Sequence, residues 1–524
     1  MNETRDADVV VIGAGPGGLS AAAYLATRGR RVVVLDARDV PGGHMSAFTH
    51  RDYEFDIGLH FTMAEPVRAL LEPLGVDVDL RDLGEQLSTL LLPGRRLTIP
   101  RGTEAVRQLL HEEFPGERAT VDTFFATLRA INDEMTHLPD RPRLRDIPEM
   151  TWGSRHVLRH ARSTLGGYLD TLHPSPELRA VLASFAFEGA LPPSRLSLLV
   201  YAMMASRMDG MAYPVGGSQV ISEGLASVVR DHGGEVVLGV EADQILVEAG
   251  RVRGVRVRPA SWDTSPEPSY DIHTDTVVSA VDVRRTYLRL VDPAHLPDRL
   301  VRRTRALETA LPFFVVYLVL DRDLAAEGYA TASTTVLGDV DVEATYRGLD
   351  AGRLGPHSSL YMWVANLADP ANPRLCRPGQ TNLQLLTLAP PAHDFWGAAP
   401  GRTTGARYVA RRRELRNRLM TLADRAVPGI EASIVFEESA SPITEERLMR
   451  VVGGTAYGLA LTPAQTTGRP GHASPLEGLY LAGASTRGGV GLLGTLTGGV
   501  GAASAVTGVP VKDLLAGRRT PQVV

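Results

Sequence analysis

An α/β fold is predicted, with a Rossmann-type dinucleotide-binding domain interleaved with a second, discontinuous α+β domain. Three observations predict it. A strand, a glycine turn, a helix and a second strand follow one another over residues 7–37; a strand-like run at 478–482 opens a Gly-rich segment near the C-terminus; and the stretches between carry helical pattern over 101–200 and strand pattern over 310–388. The 524 residues allow about three domains, or two large ones with insertions.

The first unit is the most explicit. Val9-Val10-Val11-Ile12 and Val32-Val33-Val34-Leu35 are apolar four-residue runs, and the Ala-rich helix between them stops at Gly29. The turn Gly13-Ala14-Gly15-Pro16-Gly17-Gly18 places glycine at each G-x-G-x-x-G position. Gly13 permits the tight turn, Gly15 lets backbone approach a pyrophosphate, and Gly18 lets the helix pack on the strand. The helix N-terminus, with Pro16 and Gly17 in its first turn, faces the phosphate charge. Asp36 ends the second strand 18 residues after Gly18, with Ala37 beside it, and is placed to accept from a ribose hydroxyl. A second match, Gly489-Val490-Gly491-Leu492-Leu493-Gly494, leaves only 30 residues behind it and no acid at a strand end. It is read as a decoy, so one dinucleotide site and no separate nicotinamide domain are expected.

Pro41-Gly42-Gly43-His44-Met45 follows the second strand directly. A double glycine here brings a second loop against a long pyrophosphate, as an extended FAD requires, whereas a plain NAD fold proceeds to its next helix. Further along, 236–238, 244–247 and 252–257 read as short strands, with a turn at Ala249-Gly250-Arg251. Residues 276–280 read as a buried strand and 313–320 as the clearest strand of the second half. Loops are expected at 139–148 and 261–269. The domains follow: 1–95, 215–290 and 445–524 for the dinucleotide, 96–214 and 291–444 for substrate.

Composition narrows the function. With 44% hydrophobic and 22% charged residues the chain is too apolar for disorder, and 55 basic against 60 acidic residues leave no basic footprint for nucleic acid. Cys376 is the single cysteine, which excludes an intrachain disulfide and a cysteine-based metal site; no metal is expected. Lys512 is the single lysine, so lysine chemistry is confined to the C-terminal end. There is no G-x-S-x-G or H-E-x-x-H motif. The polar N-terminus lacks a signal-peptide layout, 311–320 is too short to span a bilayer, and 488–506 is uncharged but rich in Gly and Thr. A cytoplasmic location is expected, with peripheral membrane contact left open.

Gly13 to Gly18 with Asp36, Gly42-Gly43, Phe55-Asp56-x-Gly58-x-His60 and Leu479-Tyr480-Leu481-Ala482-Gly483-Ala484 are similar to the FAD-dependent family of phytoene desaturases, carotenoid isomerases and retinol saturases. Gly189-Ala190-Leu191-Pro192-Pro193-Ser194-Arg195 and Tyr213-Pro214-Val215-Gly216-Gly217 resemble the isomerase and saturase branch most. The resemblance implies a glutathione-reductase-like FAD domain in which Gly42, Gly43, His44, Gly58, His60 and Val240 also touch the cofactor. It places Gly483, Ala484, Gly489, Val490, Gly491 and Leu492 beside the isoalloxazine. Two departures stand out: His44 where many relatives have Arg, and a tail loop lacking a proline common in the desaturases.

On the substrate side, Tyr201, Met204, Met208 and Tyr213 belong to a Met- and aromatic-rich cluster that suits a long, apolar, shape-variable ligand, or else plain core. Glu188, in an apolar run, is a candidate proton donor or acceptor if buried, or else a salt-bridge partner of Arg195 or Arg207. His60 is a second candidate for catalysis, or a hydrogen-bond donor. The expected activity is desaturation, saturation or cis–trans isomerisation of a polyene or isoprenoid-like substrate, free or carrier-bound, by hydride exchange with flavin N5. An amine-oxidase-like enzyme or a non-catalytic prenyl or lipid carrier are the alternatives.

Overall fold

The computed structural model describes residues 5–137, 153–205, 210–260, 269–349, 351–391, 393–398 and 405–517. The loop expected at 139–148, that at 261–269 except Ser269, and Met208 lie outside the described residues. Two sheets carry the architecture. In chain order their strands are β1 (Val9–Ile12), β2 (Val32–Leu35), β3 (Gln86–Leu92), β4 (Arg95–Pro100), β5 (Glu235–Val237), β6 (Val277–Ser279), β7 (Phe313–Leu320), β8 (Ser333–Val336), β9 (Leu360–Val364), β10 (Thr381–Leu388), β11 (Ile434–Ala440) and β12 (Leu479–Leu481).

The first sheet has the order β5-β2-β1-β6-β12, and every neighbouring pair is parallel. Its three inner strands β1, β2 and β6 are buried at every residue. Such strands read as continuous apolar runs because both faces are covered. One face carries the helices α1 (Pro16–Ala26) and α2 (Gly491–Thr507) together with Gln219–Asp231; their side chains share a core with Val9, Val11, Val32 and Val34. The opposite face packs Val10, Ile12, Val33 and Leu35 on an antiparallel meander of Val240–Glu248, Arg251–Pro259 and Tyr270–His273. Its first turn uses Ala249 and Gly250, both at positive φ.

Glycine sets how closely α1 and α2 approach. A Cβ on Gly499 would lie 2.5 Å from the Gly17 carbonyl oxygen and 2.6 Å from Ser20 Cβ, and Ser20 Oγ donates to the Leu496 carbonyl across the same contact. The uncharged segment 488–506 therefore ends in a buried helix of the dinucleotide domain. Among the described residues no helix is long and apolar enough to cross a membrane.

The second sheet has the order β11-β7-β10-β9-β8-β3-β4, antiparallel except for β8 with β3. Alternate residues of β7 enter two cores: Phe314, Val316, Leu318 and Leu320 face the helix Ala406–Ala426, while Val315, Tyr317 and Val319 face the helical layer that includes Arg118–Thr136. One expected boundary, 95/96, falls within a sheet element. Residue 95 falls inside the β3–β4 hairpin, which belongs to this sheet. Pro93-Gly94 is the turn of this hairpin, and Leu87, Leu90, Leu97 and Ile99 are buried in the sheet.

The strand Tyr53–Asp56 is held from two sides. Asp56, at the end of the strand Tyr53–Asp56, accepts from Ser218 N (2.9 Å), Ser218 Oγ (2.5 Å) and the Tyr213 hydroxyl. From the other sheet, Gln384 Nε2 donates to the Asp56 carbonyl at 2.9 Å and Asn382 Nδ2 to the Glu54 carbonyl at 2.9 Å. Burial raises the Asp56 carboxyl above its ordinary value, while the Ser218 and Tyr213 donors act in the opposite direction.

Gly499→Val is expected to lower stability by about 1–3 kcal/mol through overpacking at the α1–α2 contact. Gly116→Ala, with open space at its Cβ, is the control and should change stability by less than about 0.5 kcal/mol; thermal melting of both variants checks this.

Candidate cofactor and active site

The cradle at the carboxyl end of β1 is built by what its glycines lack. Gly13 sits at φ 101°, and a Cβ on Gly18 would lie 1.9 Å from the Gly13 carbonyl oxygen. These two positions admit only glycine for internal reasons. Gly15 differs: its φ of −72° suits any residue, and nothing lies within 4 Å of its would-be Cβ. Its open side is the face available to a ligand. α1 begins there with Pro16 in its first turn and no side-chain cap. The Gly17 and Gly18 N–H groups are thus orphan donors of a helix N-terminus.

The double-glycine loop closes on this cradle. Gly42 N donates to the Ala14 carbonyl at 2.7 Å, and a Cβ on Gly43 would lie 3.3 Å from Gly15 Cα. Arg38 fastens it, donating from Nη1 to the Gly43 carbonyl (3.0 Å) and to Ser46 Oγ. Asp36 accepts from Ala14 N (2.7 Å) and Arg38 N (2.9 Å), and burial pushes its carboxyl up. A cavity opens beside it, lined among others by Gly13, Asp36, Ala37, Gly43, Val240 and Arg285. Glu241, 7% exposed in its side chain, lies in the same wall and pairs with Arg258 (2.9 Å), Arg285 and Arg450 (3.6 Å). His44 faces Glu445, with Nε2 3.6 Å from Oε2.

Strand order then directs a dinucleotide. Ligands of a parallel sheet lie across the carboxyl ends of its strands. A dinucleotide with its ribose at Asp36 and its pyrophosphate at the β1 turn would carry its second half over the ends of β6 and β12. β12 ends in Ala482-Gly483-Ala484, and a Cβ on Gly17 would lie 2.5 Å from Gly483 Cα, so this turn abuts the cradle. Gly483 has φ 74°, and Thr486 Oγ1 donates to its carbonyl at 2.8 Å. Gly489 and Val490 lead into the uncapped N-terminus of α2 at Gly491 and Leu492. Leu492 shares a core with Met45 and Leu59, while Val490 and Phe61 both pack on the core of the second sheet. Gly58 is exposed on one side and meets His44 on the other, its would-be Cβ 3.0 Å from the His44 carbonyl oxygen. Open glycine faces, orphan donors and an acid at the far end fit an extended FAD.

His60 stands where the two sheets meet. Gln384 spends its amide N–H on the Asp56 carbonyl, so its Oε1 accepts from His60 Nε2–H at 3.1 Å, leaving the Nδ1 lone pair unprotonated. The ring lies 5.4 Å from that of Tyr361 and 5.6 Å from that of Trp363. Burial pushes the His60 pKa down to about 4, so it is a neutral imidazole at physiological pH. Next to it, Phe61 lines a cavity with Leu87, Ser88, Ile99, Phe185, Glu188, Met211, Ser333 and Thr335. Glu188 is half-buried in that wall; Arg195 pairs with Glu308 at 2.6 Å, and Arg207 lies outside the described residues.

The structure places three of the expected substrate residues as follows. The Tyr201 hydroxyl donates to the Leu182 carbonyl and its ring packs edge-on to Phe124, inside the helical layer. Tyr213 is held by Asp56, and half-buried Met204 lies behind Gly189. Met211 and Phe185, from the same cluster, reach the cavity. Sequence reasoning missed Gln384, Arg38 and Phe61. For Gln384 a signal was present: Thr381, Asn382, Gln384 and Thr387 are polar residues in an otherwise apolar, fully buried strand.

Two outcomes follow. Gly15→Ala should leave the apo-protein's stability within about 0.5 kcal/mol and weaken FAD at least about tenfold, whereas Gly18→Ala should destabilise the apo-protein itself; melting with and without FAD separates them. For His60, the unfolded chain takes up a proton near pH 6.5 and the folded chain only near pH 4, so the unfolded state binds more protons in between. Stability should therefore fall as pH drops from 6.5 to 4, and His60→Gln should flatten that part of the pH–stability curve.

Comparison with known proteins gives the family. The family model described as flavin containing amine oxidoreductase matches residues 16–377. The chain is 24% identical over 528 residues to all-trans-retinol 13,14-reductase of Rattus norvegicus, covering 95% of this chain and 85% of that one. It is 27% identical over 509 residues to phytoene desaturase (neurosporene-forming) of Rhodobacter capsulatus, covering 92% and 90%. Among solved structures, putrescine oxidase bound to putrescine superposes with a TM-score of 0.66 at 17% identity, covering 97% of this chain and 100% of that one; this likeness concerns the fold. The chain belongs to the flavin containing amine oxidoreductase family and is an FAD-dependent oxidoreductase.

Proposed function

We propose that this enzyme acts on carbon–carbon bonds of a long, apolar polyene or isoprenoid-like substrate, by desaturation, saturation or geometric isomerisation. The observation that carries the reading is the flavin family match together with the lining of the cavity at Phe61, the residue after His60, where Leu87, Ile99, Phe185 and Met211 stand beside Ser88, Glu188, Ser333 and Thr335. The apolar side chains recognise hydrocarbon by burial and exclude water. The relatives named as a retinol reductase and a phytoene desaturase support it. The amine-oxidase-like alternative is disfavoured because a lysine that holds a water at flavin N5 is characteristic of that group, and the single lysine here, Lys512, sits in the short helix Val511–Leu515 after α2.

FAD, when bound, supplies hydride exchange at N5. The chain's part is to bind, orient and manage charge. His60 presents a neutral ring whose Nδ1 can accept but not donate a proton near neutral pH, its orientation fixed by Gln384. Glu188, with the Ser88, Ser333 and Thr335 side chains in the same wall, supplies the acidic group for a proton moved to or from the substrate. The substrate reaches this cavity free, from a carrier or from a membrane surface.

The test is an anaerobic absorption spectrum of the holoenzyme before and after a carotenoid or retinoid is added, with chromatography of the product. Bleaching of the flavin with a more unsaturated product marks a desaturase. Change of the polyene only after the flavin is pre-reduced marks a saturase or an isomerase, which product mass distinguishes. No change of any polyene in either redox state, with putrescine or another amine bleaching the flavin, would contradict the proposal.

A further inference from the structure

Arg469 is 6% exposed, yet it forms no ion pair with a carboxylate among the described residues. Its Nη1 donates to the Ala484 carbonyl and its Nη2 to the Leu459 carbonyl at 3.1 Å. The neighbouring backbone is tied to the same turn, with Arg487 N donating to the Pro470 carbonyl at 3.2 Å and Leu481 N to the His472 carbonyl at 2.7 Å. A buried guanidinium without a counter-charge is costly, and two carbonyls satisfy only part of its donor set. Burial accordingly draws its pKa down to about 10, which leaves it fully charged at neutral pH.

Ala484 ends the path traced by the strand order from Asp36 across β1 and β6 to β12. The charge therefore sits one peptide from the turn that receives the second half of the dinucleotide. In a low-dielectric interior a fixed charge acts over several ångströms with little screening. Reduction of a flavin places negative charge on its pyrimidine half, so a nearby fixed cation favours the reduced form. We propose that Arg469 is an electrostatic positioning residue that raises the electron-accepting power of the FAD, its counter-charge being the one that develops on the flavin. The proposal rests on FAD binding and not on the identity of the substrate.

Sulfite is the probe, because it adds through its sulfur lone pair to flavin N5 and leaves negative charge on the same pyrimidine half; no polyene is needed. Wild-type holoenzyme is expected to bind sulfite at least about tenfold more tightly than free FAD. Arg469→Gln, which keeps hydrogen-bond donors and removes the charge, should weaken sulfite at least about tenfold and make the flavin reduction potential more negative. Arg469→Lys should stay within about threefold of wild type. Sulfite affinity of the wild type no greater than that of free FAD would overturn the proposal, as would equal affinities and potentials in the Gln and Lys variants. If Arg469→Gln does not retain FAD, the wild-type and Lys measurements alone decide.

Discussion

Two helix N-termini converge in this protein because glycine meets glycine between them. Gly17, in the first turn of α1, packs against Gly483 at the end of β12 and against Gly499 of α2, with would-be Cβ contacts of 2.5 Å in both directions. Any side chain at these points would push α2 off α1. The uncapped N-terminus of α2 would then leave the carboxyl edge of the parallel sheet, and the phosphate cradle would no longer be continuous with the turn at Gly483. The cost is conformational entropy in a Gly-rich helix. It is offset by burial of Leu492, Leu496, Val500, Ala502 and Ala503 in the core they share with α1.

Asp56 plays the corresponding part between the two sheets. Its carboxylate is spent on Ser218 and Tyr213 and its carbonyl on Gln384, so the strand Tyr53–Asp56 is fixed from both sides. His60 follows four residues later, and the same Gln384 chooses its tautomer. A buried, hydrogen-bonded network of this kind is worth more as a device for position than as a source of stability. It sets a neutral imidazole where the dinucleotide domain and the second sheet meet.

Much of this was legible in the sequence, and the division follows range in the chain. Local geometry read well: Val9–Ile12, Val32–Leu35 and Phe313–Leu320 are strands at the expected residues, and Gly29, Ala249 and Gly250 adopt the positive φ expected of a stop and a turn. The double glycine meets the first glycine loop because both lie within one βαβ unit and its exit. Partner choice across the chain was not legible. The expected boundary at 95/96 cuts through the β3–β4 hairpin, whose partner strand β8 lies about 240 residues away. Tyr201 and Tyr213 have the composition of a ligand surface, but their hydroxyls are committed to Leu182 and Asp56, which no spacing rule shows. Arg469 was invisible as a buried cation because arginine is this chain's ordinary surface charge.

The central claim is directional: adenosine at Asp36 and Val240, isoalloxazine over the ends of β6 and β12, between Gly58–His60 and Gly483–Leu492, with the Phe61 cavity beyond. A crystal structure of the FAD-bound protein tests it most directly. The account predicts isoalloxazine density within contact of Gly58 and the Gly483 turn, and adenine in the cavity lined by Val240. Isoalloxazine density in the Val240 cavity, or FAD lying away from the carboxyl edge of the parallel sheet, would contradict it.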